Sequence, residues 1–149
     1  MTEIFQEKNI FLVEEKLENK EQLLRLIAKK AAELGYVRSE SDCLQGLLER
    51  EKQQSTGFQD GFAIPHCKDQ TVKEPRLLIF KTLPIPWDTL DGQPVQFAFV
   101  LLIPEQSAAE HLKYLSKIAK SLLDDEYRSQ LKQGDQQRIY SLVKEKLED

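Results

Sequence analysis

Apolar positions in the first third of the chain recur at helical spacing. Leu23, Leu24, Ile27, Ala28, Ala31 and Leu34 fall on one face of an amphipathic helix. Asn19 is placed to cap its start, with Gln22 at the third helical position, and Gly35 stops it. Upstream, Ile10 to Val13 is a short apolar run rich in β-formers. A second helix is expected to begin near Ser39 or Ser41. It passes through Leu44, Leu47 and Leu48 to Arg50 or slightly beyond, and the polar stretch Gln53-Gln54-Ser55-Thr56-Gly57 then leads into a loop.

The period changes in the middle third. Leu77 to Leu83 is rich in β-formers, and Pro84, Pro86 and the Asp91-Gly92 pair punctuate the segment after it. Phe97 to Ile103 is nearly continuous in apolar residues and reads as a strand buried on both faces. Beyond Pro104 the helical period returns. Ser107-Ala108-Ala109-Glu110 matches a capping box, and Leu112, Leu115, Ile118, Ala119 and Leu122 are expected to line the buried face, with His111 about one turn into the helix. Ile139, Tyr140, Leu142, Val143 and Leu147 mark a last amphipathic helix. Helices before and after a strand-rich middle predict an α/β architecture, a small central mixed sheet covered by helices. The order of elements leaves the strand order open. With no repeat, low-complexity tract or linker, residues 1–149 are expected to form a single domain.

Composition narrows the function classes. At 149 residues with 40% hydrophobic content, the chain can bury a core without disulfide or metal staples. The net charge of −4 comes from 25 acidic and 21 basic residues with no basic block, so no nucleic-acid partner is expected. Cys43 and Cys67 fall in different predicted elements, and Met1-Thr2-Glu3-Ile4-Phe5 lacks the basic and apolar regions of a leader; a cytoplasmic protein with free thiols is expected. Phe97 to Ile103 is too short to span a bilayer, so any membrane connection runs through a partner.

Spacing excludes several chemistries. The six glycines are scattered and none precedes Lys-Ser or Lys-Thr, so no phosphate loop is present. There is no Gly-x-Ser-x-Gly elbow, and Cys67, a chain neighbour of His66, is expected to point away from it. His66, Cys67, His111 and Cys43 lack the paired short spacings of a zinc site, so neither metal nor cofactor is expected. What remains is His66, one of two histidines, following a proline at the end of the apolar run Phe62-Ala63-Ile64. It reads as a structural imidazole bonded to a loop carbonyl or as a rigidly presented reactive group. The neighbours are similarly open: Arg50 as a solvated helix end, Thr56 as a turn former, His111 as a solvent-facing helix residue.

Arg50-Glu51 followed by Ser55-Thr56-Gly57, then Ala63-Ile64-Pro65-His66, then His111-Leu112 with Leu115 downstream, together form an ordered set covering nearly the whole chain. That set closely resembles the enzyme IIA domains of the fructose and mannitol class in the bacterial phosphoenolpyruvate-dependent sugar phosphotransferase system. The resemblance implies that His66 accepts a phosphoryl group from the phosphohistidine of the carrier HPr and passes it to a cysteine of an enzyme IIB domain. The membrane would then be met only indirectly, through the enzyme IIC permease.

It also implies a site in which Arg50 grips phosphoryl oxygens with its planar fork, Thr56 donates a hydroxyl hydrogen bond, and His111 lies beside His66 near a helix N-terminus. Cys67 stands where the family resembled here usually has a small residue and is given no chemistry. Trp87 is read as a hydrophobic cover. Some members of the wider family resembled act instead as regulatory modules, whose phosphorylation controls binding to a target protein. The transported sugar cannot be read from a component that meets only proteins and a phosphoryl group.

Overall fold

Two ten-residue strands, β4 (Arg76–Ile85) and β5 (Val95–Pro104), pair antiparallel at the centre of a five-stranded sheet in the computed structural model. The structure describes residues 4–148, and of residues 107–110 the backbone only. A short strand β1 (Ile10–Leu12) lies parallel to β4, and β2 (Phe62–Ala63) and β3 (His66–Asp69) both lie parallel to β5. The sheet is therefore mixed, in the order β1-β4-β5-β2 with β3 following β2 along the same edge. Phe62 is opposite Phe97 and His66 opposite Leu101, each pair 35 residues apart, so β2 and β3 keep one register across Ile64-Pro65. Proline is tolerated there because this is an edge strand.

Period-two alternation sends the two faces of the sheet to two cores. Leu77, Ile79, Phe97, Phe99, Leu101 and Ile103 face one side, with Phe62 and Ile64. Leu78, Phe80, Ala98, Val100, Leu102 and Cys67 face the other. Helices α1 (Lys20–Glu33) and α2 (Glu40–Gln53) cover the second face. Helices α3 (Ala108–Ser121), α4 (Asp125–Gln133) and α5 (Gln136–Glu148) cover the first. β5 is buried from Phe97 to Ile103, as its unbroken apolar run predicts.

The helix signals of the first third hold in detail. Asn19 accepts a hydrogen bond from the Gln22 backbone N–H at 3.0 Å, and Gly35 closes α1 with φ of 79°. Ser39 caps α2, accepting from the Asp42 N–H at 3.1 Å, and α2 runs three residues past Arg50 to Gln53.

Three features differ from expectation. Leu112 is 46% exposed rather than core-facing. The buried face of α3 is set by Tyr114 and Ile118, with Leu122 just past its end, and a residue two positions before Tyr114 turns nearly to the opposite side. Helix α4 has no counterpart in the apolar pattern, because its buried residues are Tyr127, Arg128 and Leu131, one of them charged. His66 opens a strand rather than closing one. The capping box at Ser107–Glu110 lies outside the described side chains. Among the described residues no helix is long and apolar enough to cross a membrane.

Helix α2 approaches β3 closely because position 46 is glycine. A Cβ at Gly46 would lie 2.6 Å from the Cys67 Sγ, well inside contact distance. Gly46→Ala is therefore expected to lower stability by about 1–3 kcal/mol in urea unfolding, overpacking outweighing the helix-propensity gain. On a Cys67→Ala background the same substitution should raise stability by about 0.5–1 kcal/mol, the intrinsic preference of helices for alanine. A destabilisation of equal size in both backgrounds would mean that the thiol is not what the helix meets.

Candidate functional site

His66 stands at the sheet edge, where the two helical layers can both reach it. It has the parity of Phe62 and Ile64, which face the α3–α5 layer, yet its ring nitrogen is contacted from α2 in the opposite layer. Arg50, in the last turn of α2, donates from Nε to His66 Nε2 at 2.9 Å, and from Nη1 to the Gln54 carbonyl at 2.6 Å. On the other side of the ring, Nδ1 lies 2.9 Å from the Ile64 carbonyl oxygen. A carbonyl only accepts, so Nδ1 carries the hydrogen and donates it. Nε2 is left with its lone pair, as the Arg50 contact independently requires. The two bonds select one neutral tautomer, with Nε2 the nucleophilic atom.

Electrostatics agree. Burial pushes the His66 pKa below its ordinary value, and the Arg50 cation pushes it further down, while the Ile64 carbonyl and the Glu51 carboxylate pull it up. The imidazole is thus held neutral near pH 7. Cys67, one residue on, turns to the other face and is buried against α2. The hydrogen bond of its S–H to Cys43, followed by burial, drives its thiol pKa far up, so it offers no thiolate.

Glu51 organises the loops around the ring. Its carboxylate accepts from the Thr56 N–H at 2.9 Å, the Thr56 hydroxyl at 2.6 Å, the Trp87 indole N–H at 3.0 Å and Lys20 Nζ at 3.4 Å. Thr56 accordingly differs from its expected part. Its hydroxyl hydrogen is committed to Glu51, and its carbonyl accepts from the Ile64 N–H at 3.0 Å, which fastens the edge strand. The crossing of the 86–94 loop over Gly57 leaves no space for a side chain, since a Cβ there would sit 2.2 Å from the Asp88 carbonyl. Trp87 covers the core as expected, and it is a donor as well.

His111 lies in the first turn of α3, the helix packed on the sheet face toward which His66 is directed. Its ring stacks on Tyr114 with centroids 6.0 Å apart, and its Nδ1 is buried without a hydrogen-bond partner among the described residues. An unpaired lone pair is easier to bury than an unpaired N–H, so neutral His111 keeps its hydrogen on Nε2. The structure brings Arg50 and His66 into direct contact and attaches Thr56 through Ile64.

Neither Glu51 nor Lys20 was assigned a role on sequence grounds. A signal for Glu51 was present: Cys43, Leu47 and Glu51 recur every fourth residue on the buried stripe of α2. Among the described residues no three His, Cys, Asp or Glu side chains converge as a metal site requires.

Comparison with known proteins places this geometry in context. The family described as phosphoenolpyruvate-dependent sugar phosphotransferase system, EIIA 2, matches residues 3–146. A protein of Bradyrhizobium diazoefficiens named nitrogen regulatory protein is 40% identical over 131 residues, covering 86% of this chain and 84% of that protein. The PTS system fructose-like EIIA component of Escherichia coli is 32% identical, covering 84% of this chain and 85% of that one. Among solved structures, enzyme IIA of the mannitol system of Escherichia coli, in complex with phosphorylated enzyme IIB, superposes with a TM-score of 0.79 at 19% identity over 95% of this chain and 99% of that one.

A titration tests the electrostatics of the ring. Followed by NMR of the imidazole C–H resonances, His66 is expected to titrate below its ordinary value of 6.5, and Arg50→Met to raise the midpoint by removing the adjacent cation. A midpoint at or above that value in the unaltered protein would overturn the reading of a neutral imidazole held by burial and Arg50.

Proposed function

The chain belongs to the enzyme IIA family of the fructose and mannitol class, and from that membership we propose that it carries a phosphoryl group on Nε2 of His66, taken from phospho-HPr and passed to a cysteine of an enzyme IIB domain. The observation that carries the assignment to His66 is the pair of bonds on its ring: Nδ1–H to the Ile64 carbonyl, and Nε2 facing Arg50. The Nε2 lone pair attacks phosphorus as the donor's N–P bond breaks, and that bond's electron pair returns to the donor histidine. The hydrogen stays on Nδ1, donated to the Ile64 carbonyl, so the phosphorylated ring has cationic character and remains a good leaving group for the next transfer.

Arg50 must then turn from Nε2 to the phosphoryl oxygens. Its guanidinium has donors to spare, and it already faces the reacting atom. His111 contributes from the start of α3, where its Nε2–H and the helix N-terminus favour an anion. Thr56 acts by position, through Ile64, and not as a hydrogen-bond donor to the phosphoryl group. The domain is read as spanning the chain from 1 to 149.

Labelling with phosphoenolpyruvate, enzyme I and HPr is expected to give an acid-labile phosphate on the unaltered protein and none on His66→Ala; equal labelling of both would sink the proposal. Arg50→Lys should slow labelling roughly a hundredfold, because an ammonium cannot reproduce the planar fork. His111→Ala should mainly slow transfer. The rate should fall as pH drops through the lowered His66 pKa, since protonation removes the lone pair that attacks.

A second reading is a regulatory module whose phosphorylation state controls a target protein. It is favoured by the 40% identity to a relative named nitrogen regulatory protein. Both readings use the same chemistry at His66 and differ in where the phosphoryl group goes next. Phosphorylated protein offered to enzyme IIB domains of the fructose class should lose its label to a cysteine within seconds if it serves sugar uptake. Retention of the label against every such domain would favour regulation.

A further inference from the structure

Two adjacent residues of α2 address the two nitrogens of His66. Arg50 reaches Nε2 directly. Glu51 reaches Nδ1 through a relay: its carboxylate holds the Thr56 N–H and hydroxyl, the Thr56 carbonyl holds the Ile64 N–H, and the Ile64 carbonyl holds Nδ1–H. We infer that Glu51 is a positioning residue of the phosphoryl site, and that its buried negative charge keeps the phosphorylated state close to balance with its donor. The inference rests on His66 being the phosphoryl acceptor.

The placement of this charge argues against a purely structural part. The Glu51 side chain is 4% exposed and lies near the C-terminus of α2, where the helix dipole opposes a carboxylate. The buried stripe it continues is otherwise Cys43 and Leu47. Among the described residues the one cation bonded to it is Lys20, 3.4 Å away, and the other three bonds come from neutral donors. Its electrostatic effect reaches His66, where it opposes that of Arg50.

A phosphoryl group adds nearly two negative charges to the site. Arg50 attracts it and Glu51 repels it. A site with Arg50 alone would hold the group more firmly, and a carrier that binds its cargo too well passes it on slowly.

The test is the equilibrium constant for phosphoryl exchange between phospho-HPr and the full chain, read by 31P NMR. Glu51→Gln is expected to shift it toward the phosphorylated protein, on the order of fivefold, and to slow onward transfer by a similar factor. Lys20→Met removes the partial compensation, together with the contact of Lys20 Nζ with the face of the Trp87 ring at 5.8 Å, so it should shift the equilibrium the opposite way by about twofold.

A residue that merely supports the fold would lower melting temperature without moving the two equilibria in opposite directions. An unchanged or reduced constant in Glu51→Gln overturns the inference. If that variant does not fold, an unchanged or raised constant in Lys20→Met overturns it. In either case labelling confined to His66 leaves the carrier assignment standing, whereas labelling of His66→Ala removes the basis of both.

Discussion

Pro65 has no N–H to give, and the geometry of the site depends on where that absence falls. The Pro65 carbonyl accepts from Leu101 N–H on β5, so this residue's hydrogen-bonding groups face into the sheet and its missing donor costs one ladder bond there. Ile64, one residue earlier, must then direct both its groups outward. Its N–H goes to the Thr56 carbonyl and its C=O receives His66 Nδ1–H. The register with β5 continues across the break, which keeps the imidazole at a fixed height on the edge. The tautomer, and with it the identity of the reactive nitrogen, is therefore a consequence of strand alternation beside a proline.

The segment leading into this edge is restrained at its other end by charge. Asp60 has a φ of 58°, a conformation that few residues other than glycine adopt, and Asp91 accepts its backbone N–H at 2.8 Å. Its carboxylate receives Arg128 Nε at 3.0 Å and Lys132 Nζ, both from α4. The hydrogen bond from Lys132 holds the Asp60 carboxyl below the usual range despite some opposing burial, with Arg128 adding to the effect. Arg128 also donates to the Leu122 carbonyl at the end of α3. The turn before β2 is thereby tied to the helical layer carrying His111, while Thr56 ties the following residues to the layer carrying Arg50.

The parts legible in the sequence were those governed by local periodicity. Helix α1 with its Asn19 cap and Gly35 stop, the doubly buried β5, and the apolar stripe of α5 all follow from spacing alone. Helix α4 was not legible because Arg128 occupies a core position made tolerable by the carboxylate of Asp60, 68 residues away, together with Asp125 and the Leu122 carbonyl. The same holds at the site. His66 is conspicuous by its neighbours Ile64 and Pro65, but the commitment of the Thr56 hydroxyl to Glu51 depends on how the chain turns between them. Leu112 shows the limit from the other side: a plausible helical spacing was shifted in phase by Tyr114, an aromatic with a polar tip that the core nevertheless accepts.

Transport and regulation make the same demand on His66, so the residues around its ring cannot separate them. Whatever distinguishes the partners must act on the surface beyond the ring. Two exposed apolar side chains flank that region in the chain: Leu112, 46% exposed and next to His111, and Leu90, 76% exposed on the loop that crosses Gly57. The Leu90 N–H is anchored to the Phe58 carbonyl, and Ser55 Oγ holds the Asp88 carbonyl, so this loop is fastened to the same 54–58 segment that Arg50 and Glu51 hold. In the proposed carrier, an Arg50 that left Nε2 for a phosphoryl group would pull first on the segment it also grips through Gln54. The surface next to that segment would then be the part of the molecule best placed to present the phosphorylation state to a partner, in either proposed role.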